Sequence, residues 1–205
     1  MYPFDTINIA AHGCLSGEEQ DTCRLAAMTL VVMTNQHFVA RYTSCKAIHA
    51  ERFFAESKVF QQHILSQAPR SVHMFMKMHP CHYIRTSQGS LFPNGDDVHS
   101  CADIIVNLYK THLEPKHIAL TIHIASLYKT YPVTLSANKH NVEGLYLLLR
   151  AGIHVECFER HHWLQLANLC TKPVKIQHIL SKERVRMDEF IRQFLNDIKN
   201  TIKEH

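Results

Sequence analysis

A histidine, a glutamate and two cysteines stand in the sequence where they could build a metal centre. His49 and Glu51 belong to the tripeptide His-Ala-Glu at the start of a predicted helix, and Cys81 follows Pro80 at the end of a predicted strand. Cys101 opens another predicted helix after 19 intervening residues. Imidazole and thiolate are ligands that Zn²⁺ favours, and three protein ligands leave a fourth tetrahedral position for water. These residue types could therefore form a zinc site with Glu51 beside it, although the residues alone leave open whether Cys101 or a nearby histidine is the third ligand.

The elements predicted around these residues alternate between strands and helices. Residues 24–44 read as two strands around a polar turn, and the full order is β-β-α-β-α-β-α-β-α-α. Such alternation implies parallel strand pairing with helices on both faces of the sheet. We therefore expect an α/β fold, a three-layer α/β/α sandwich with a five-stranded mixed central sheet and about six helices. The apolar residues that the closing helix should carry inward are Phe190, Phe194, Ile198 and Ile202.

Length and composition fit one globular domain over residues 1–205, of which 1–24 form an N-terminal extension, and 46% of the residues are hydrophobic. We expect no membrane segment, because the chain has no apolar run of about 18 residues. No signal peptide is visible, and secreted, nuclear and cytoplasmic locations all stay open. The net charge of +4, with 17 histidines, permits polyanion binding without establishing it. Cys14 and Cys23 could close a small N-terminal loop.

Residues 49–51 and 80–81 match the H-x-E and P-C parts of the signature of zinc-dependent nucleobase deaminases. Residues 101–128 resemble the segment of AID/APOBEC-like polynucleotide cytidine deaminases that leads from the second zinc cysteine to a strand. In that family the strand ends in Ala-Arg-Leu/Ile-Tyr, and here the corresponding residues are Ala-Ser-Leu-Tyr. Residues 145–170 are similar to the family's helix, Ala-Gly turn, fifth strand and Trp-containing helix. The likeness extends over about residues 26–200 and points to a divergent animal branch that includes secreted forms.

The resemblance implies a cytidine-deaminase-like fold in which His49, Cys81 and Cys101 hold Zn²⁺ and Glu51 moves protons. Residues 82–100 then form a loop inserted between two zinc ligands, and their Gly, Pro, Asn and Asp content is typical of exposed loops. The rivals of Cys101 for the third ligand position are His82 and, more weakly, His79 and His99.

The resemblance also implies a set of substrate-binding residues. The backbone N–H of Ala50 would orient the base, and Tyr128 would stack on it. Met78 replaces a Trp of the family's Ser-Trp-Ser-Pro-Cys motif, which leaves a softer apolar wall. His79 replaces a Ser whose backbone carbonyl meets the exocyclic amine, and Ser126 replaces the Arg of the strand-end motif. These departures affect the expected substrate more than the expected reaction.

The sequence thus predicts an enzyme that deaminates cytosine to uracil by hydrolysis, with a role in nucleic-acid defence or editing. The expected partner is single-stranded DNA, with RNA or free (deoxy)cytidine as alternatives. A different class of function, a catalytically inactive zinc fold that serves as a binding module, is disfavoured because a structural zinc site needs no Glu51. Flanking-base preference and oligomeric state are not predicted.

Overall fold

The computed structural model describes residues 11–12, 29–34, 38–44, 48–82, 100–127, 139–170 and 181–203. The strands are β1 (Ala11–His12), β2 (Thr29–Thr34), β3 (Val39–Thr43), β4 (Ser71–Met76), β5 (Ala119–Ile124) and β6 (His154–Cys157). They form one open sheet in the order β1-β3-β2-β4-β5-β6. Strand β2 is antiparallel to β3 and β4, whereas β4, β5 and β6 are parallel. The predicted five-stranded mixed sheet is confirmed, and the two-residue strand β1 extends its edge.

Six α-helices lie in the described ranges, as predicted. They are α1 (Ala50–Ala55), α2 (Lys58–Gln67), α3 (Cys101–Leu108), α4 (Lys139–Arg150), α5 (Arg160–Asn168) and α6 (Lys182–Lys203). The predicted order has one helix between the second and third strands, whereas the structure has two there, α1 and α2. The chain breaks there because Ser57 caps α2: its hydroxyl accepts a hydrogen bond from the backbone N–H of Phe60 and another from the Tyr42 hydroxyl on β3. None of the described helices is long and apolar enough to cross a membrane.

The two faces of the sheet carry separate hydrophobic cores. Along β4, Val72, Met74 and Met76 contribute to the larger core and Phe75 to the smaller one, as the two-residue period of a strand requires. Helices α1, α2, α3, α4 and α6 cover the larger core. Helix α5 covers the smaller core through Trp163 and its neighbours. The three-layer α/β/α arrangement is therefore confirmed.

One predicted core residue is misplaced. Phe190 of α6 is 42% exposed, whereas Ile191 beside it is fully buried. The buried stripe of this helix consists of Ile191, Phe194, Leu195 and Ile198, which recur at the spacing of one helical face. Phe190 lies at the border of that stripe and stacks on Phe194 with ring centroids 6.5 Å apart.

Strand pairing brings three chain segments to one edge of the sheet. Leu30 of β2 pairs with Tyr42 near the end of β3 and with Met76 at the end of β4, and Met76 pairs with Ile124 at the end of β5. The carboxyl ends of β3, β4 and β5 therefore point the same way. This is the edge at which α/β sheets bind their ligands.

Candidate metal centre

Three potential ligands meet at this edge from separate elements. His49 is the extended residue before α1, Cys81 follows β4, and Cys101 is the first residue of α3. Their ligand atoms all lie within 4.8 Å of one another. The Nδ1 atom of His49 is 3.1 Å from Sγ of Cys101 and 3.4 Å from Sγ of Cys81. A tetrahedral zinc ion would hold such N and S atoms about 3.6 Å apart, so the group fits a metal ion of this size.

The two cysteine side chains have very different proton affinities, and together they could bind a cation. The Cys101 thiol donates a hydrogen bond to Cys81, which lowers the pKa of Cys81 and raises that of Cys101. The Cys81 thiolate in turn raises the pKa of the His49 imidazole. The pair therefore shares one proton, and a metal ion that binds both sulfurs must displace it.

Glu51 stands next to the group without belonging to it. The residue is only 4% exposed, and its carboxyl group lies beside the Cys101 thiol. Burial raises the pKa of Glu51 to about 7, with a smaller contribution from the nearby Cys81. A carboxyl group in such surroundings can both accept and release a proton near neutral pH.

Of the residues predicted to contact the base, the structure describes Ala50 and Met78 but not Tyr128. Ala50 is buried, and its backbone N–H donates to the Ser44 hydroxyl at 3.0 Å. A base could use that N–H only by exchanging this bond. Met78, three residues before Cys81 in the chain, is half-buried. Tyr128 lies outside the described residues.

The segment that carries Met78 and Cys81 is fastened to the end of β5. The backbone N–H of His79 donates to the carbonyl of Ser126 at 3.2 Å, and the Ser126 hydroxyl donates to the carbonyl of Lys77 at 2.6 Å. The backbone N–H of Ala125 adds a third bond to the carbonyl of Met76 at 2.9 Å. Ser126 thus ties the two strand ends together, a role that its place in the strand-end motif did not suggest.

His82 is engaged elsewhere. Its Nδ1 atom lies 2.9 Å from the hydroxyl of Ser100, and it is not part of the metal-binding group found in the described chain. His79 is likewise not part of that group, and His99 lies outside the described residues. Sequence reasoning missed Ser100 itself, although the spacing Ser-x-x-Asp before an apolar run is a recognisable helix-capping signal.

No protein-family model matches this chain, and no curated protein matches it. The fold and the site themselves define an α/β protein with a possible His/Cys/Cys metal-binding group at the carboxyl edge of its sheet.

Proposed function

We propose that this protein is a zinc-dependent deaminase that hydrolyses cytosine to uracil in single-stranded DNA. One observation carries the proposal: His49, Cys81 and Cys101 converge on one point beside the buried carboxyl of Glu51. Structural zinc sites have four protein ligands, whereas catalytic ones have three and leave a position for water. In the part of the chain that the structure describes, three ligands converge next to a buried acid/base residue, which fits the catalytic kind.

The donor set favours zinc over hard cations. One imidazole and two thiolates suit zinc, whereas magnesium and calcium prefer carboxylate and carbonyl oxygen. The atoms that would hold the ion are Nδ1 of His49 and Sγ of Cys81 and Cys101. Bound zinc would supply a Lewis acid that makes water a nucleophile near neutral pH.

Glu51 would move the protons of the reaction. Cytosine and water give uracil and ammonia, so one water proton must reach the ring nitrogen and the leaving amine must be protonated. The carboxyl of Glu51 would take one water proton as C4 is attacked and pass it to the ring nitrogen. It would then carry the remaining hydroxyl proton to the amine, which leaves as ammonia while the C4 carbonyl of uracil forms. Its burial beside Cys101 holds it in one position, so that no large movement is needed between the two transfers.

The choice of single-stranded DNA rests on the resemblance of residues 101–165 to AID/APOBEC-like deaminases. The expected base pocket would include Met78 as an apolar wall and the backbone of His79, held by its bond to Ser126. Nucleic-acid defence or editing is the role that this resemblance implies.

A substrate panel tests the proposal directly. Zinc-loaded protein is incubated with a single-stranded DNA oligonucleotide that contains one cytosine, with the same sequence as RNA, and with free deoxycytidine, and uracil is measured by mass spectrometry. Glu51→Gln is the inactive variant, and Glu56→Gln, at an exposed residue just after the same helix, is its matched control. Activity on DNA that only Glu51→Gln removes supports the proposal. Activity confined to RNA or nucleoside reassigns the substrate, and no activity on any substrate rejects the reaction.

A further inference from the structure

The two residues that flank the long intercysteine segment are joined to each other. His82 follows Cys81 directly and Ser100 precedes Cys101 directly, and 17 residues lie between His82 and Ser100. The Nδ1 atom of His82 is nevertheless 2.9 Å from Oγ of Ser100. The two ends of the intercysteine segment are therefore hydrogen-bonded to each other, and we call this junction of His82 and Ser100 the neck.

The hydrogen atoms at this neck can be assigned by elimination. The Ser100 hydroxyl has one proton, and it contacts the carboxylate of Asp103, which can only accept. The hydroxyl oxygen also accepts from the backbone N–H of Asp103 at 3.2 Å. His82 must therefore donate from Nδ1 to Ser100, and the three residues form one continuous hydrogen-bonded chain. Ser100 is 1% exposed and the His82 side chain is 15% exposed, so the bond between them is shielded from water, whereas the Asp103 side chain is 44% exposed.

The same neck fixes the two cysteines to each other. The backbone N–H of Ala102 donates to the carbonyl of Cys81 at 3.1 Å, and the backbone N–H of Cys101 is hydrogen-bonded to the Cys81 sulfur. With the capping bond of Ser100, the free N–H groups in the first turn of α3 are satisfied by residues of the metal site and its neck. The first cysteine residue is thus held on the helix that begins with the second.

Helix α4 packs against the neck at Gly144. A Cβ atom added at Gly144 would lie 2.6 Å from Cβ of His82 and 3.6 Å from Cβ of Ala102. The Cβ of His82 is attached to the backbone next to Cys81, so it cannot move without moving the ligand segment. The absence of a side chain at Gly144 therefore allows α4 to pack closely against His82.

We propose that His82, Ser100 and Asp103 form a clasp that positions Cys81 and Cys101 as one ligand pair despite the 19 residues between them. These are positioning residues, and none of them touches the substrate or the metal ion. The part of the inference that concerns metal affinity rests on the proposed zinc centre. The hydrogen bonding of His82, Ser100 and Asp103 is independent of that proposal.

Zinc affinity tests the clasp in the full-length protein, by competition with a chromogenic chelator. Ser100→Ala and His82→Ala should bind one zinc ion about tenfold more weakly than the wild type, the lower end of the effect of residues that orient metal ligands. His82→Asn should restore the affinity, because its amide can donate from the place of Nδ1 but cannot replace a ligating imidazole. Ser57→Ala removes a serine cap of the same kind from α2 and should leave the affinity unchanged.

Two results would overturn the clasp: wild-type affinity in both alanine variants, or a His82→Asn protein as weak as His82→Ala. A wild type that binds no zinc would instead reject the proposed function. In that case hydrogen exchange of the amides of residues 101–103 in the metal-free protein still decides about the neck. The exchange should be faster in His82→Ala than in the wild type, and equal rates would overturn the proposal.

Discussion

Nδ1 of His49 lies 3.1 Å from Sγ of Cys101, although 52 positions separate the two residues in the chain. The contact depends on the sheet, because His49 follows β3 while Cys101 is fastened through Cys81 to the end of β4. Parallel β3 and β4 ends at one edge bring an imidazole and two thiols together without any local sequence motif that contains all three.

Removal of a ligand should remove the metal. His49→Ala, Cys81→Ala and Cys101→Ala should each lose bound zinc, because two remaining ligands hold the ion poorly. His82→Ala should still contain about one zinc per chain at saturating zinc, since its imidazole is bound to Ser100. Metal analysis of the purified variants measures this. A His82→Ala protein that lacks zinc at saturation would identify His82 as a ligand and contradict the assignment of Cys101.

The fold class could be predicted from the sequence because it depends on residue patterns. The convergence of His49, Cys81 and Cys101 was also predicted, but Cys101 was preferred to His82 from the family resemblance. An alternating apolar pattern indicated β4, and a nearly continuous apolar run indicated β5. The apolar spacing did not reveal the break between α1 and α2, where Ser57 caps α2 and is also held by a hydrogen bond from the Tyr42 hydroxyl on β3. The hydrogen bond between His82 and Ser100 could not be predicted from the sequence either, because only folding brings these two residues together.

A cluster of histidines under α5 was also beyond sequence reasoning. His73 and His123 sit on separate predicted strands, and only the parallel register of β4 and β5 brings Nδ1 of His73 within 3.1 Å of Nε2 of His123. The ring centroid of His162 lies 4.1 Å from that of His123. Among the described residues, the other titratable groups that face this cluster are Glu156 on β6, Glu159 before α5 and His161 on α5.

This cluster should make the fold sensitive to acid. Burial lowers the pKa of His123 to about 3 and that of His162 to about 4, and the neighbouring imidazoles contribute in the same direction. Glu156 is 3.8 Å from His123, but its half-exposed carboxylate does not offset burial. The unfolded chain binds these protons near pH 6.5, before the folded chain does. The free energy of unfolding should therefore be highest above pH 6.5 and fall towards pH 4, by up to about 1.4 kcal/mol per pH unit for each histidine.

Urea unfolding of metal-free protein between pH 7.5 and 4.5 measures this slope. His123→Gln keeps a polar group near Nε2 but does not titrate, so its slope should be shallower by about one proton. His154→Gln, at an exposed position of β6, should keep the wild-type slope. An unchanged slope in His123→Gln would show that other groups cause the acid sensitivity.

Two ion pairs with the same i,i+4 spacing should contribute very differently to stability. Arg184 and Asp188 of α6 are 9% and 13% exposed, and the Arg184 guanidinium lies over the ring of Trp163 at 5.3 Å. Asp188→Ala should cost about 2 kcal/mol, because it leaves a buried cation without its acceptor. Glu56→Ala removes the partner of Arg52 in an exposed pair and should cost less than about 0.5 kcal/mol. Chemical denaturation compares the two, and equal costs would contradict the structural role of the buried pair.

The segment between the two thiols should be separable from the metal site. Residues 85–97 lie outside the described residues, but both attachment points, His82 and Ser100, are hydrogen-bonded to each other beside the metal group. A short Gly-Ser linker can therefore replace residues 85–97 without pulling the cysteines apart. We expect the shortened protein to keep one zinc ion and to differ from the wild type in its affinity for single-stranded oligonucleotides, because the segment is attached at the edge of the site. A variant with the same thirteen residues in scrambled order keeps length and composition. Loss of zinc from the shortened protein would place a ligand within the segment, and unchanged oligonucleotide affinity would exclude the segment from substrate binding.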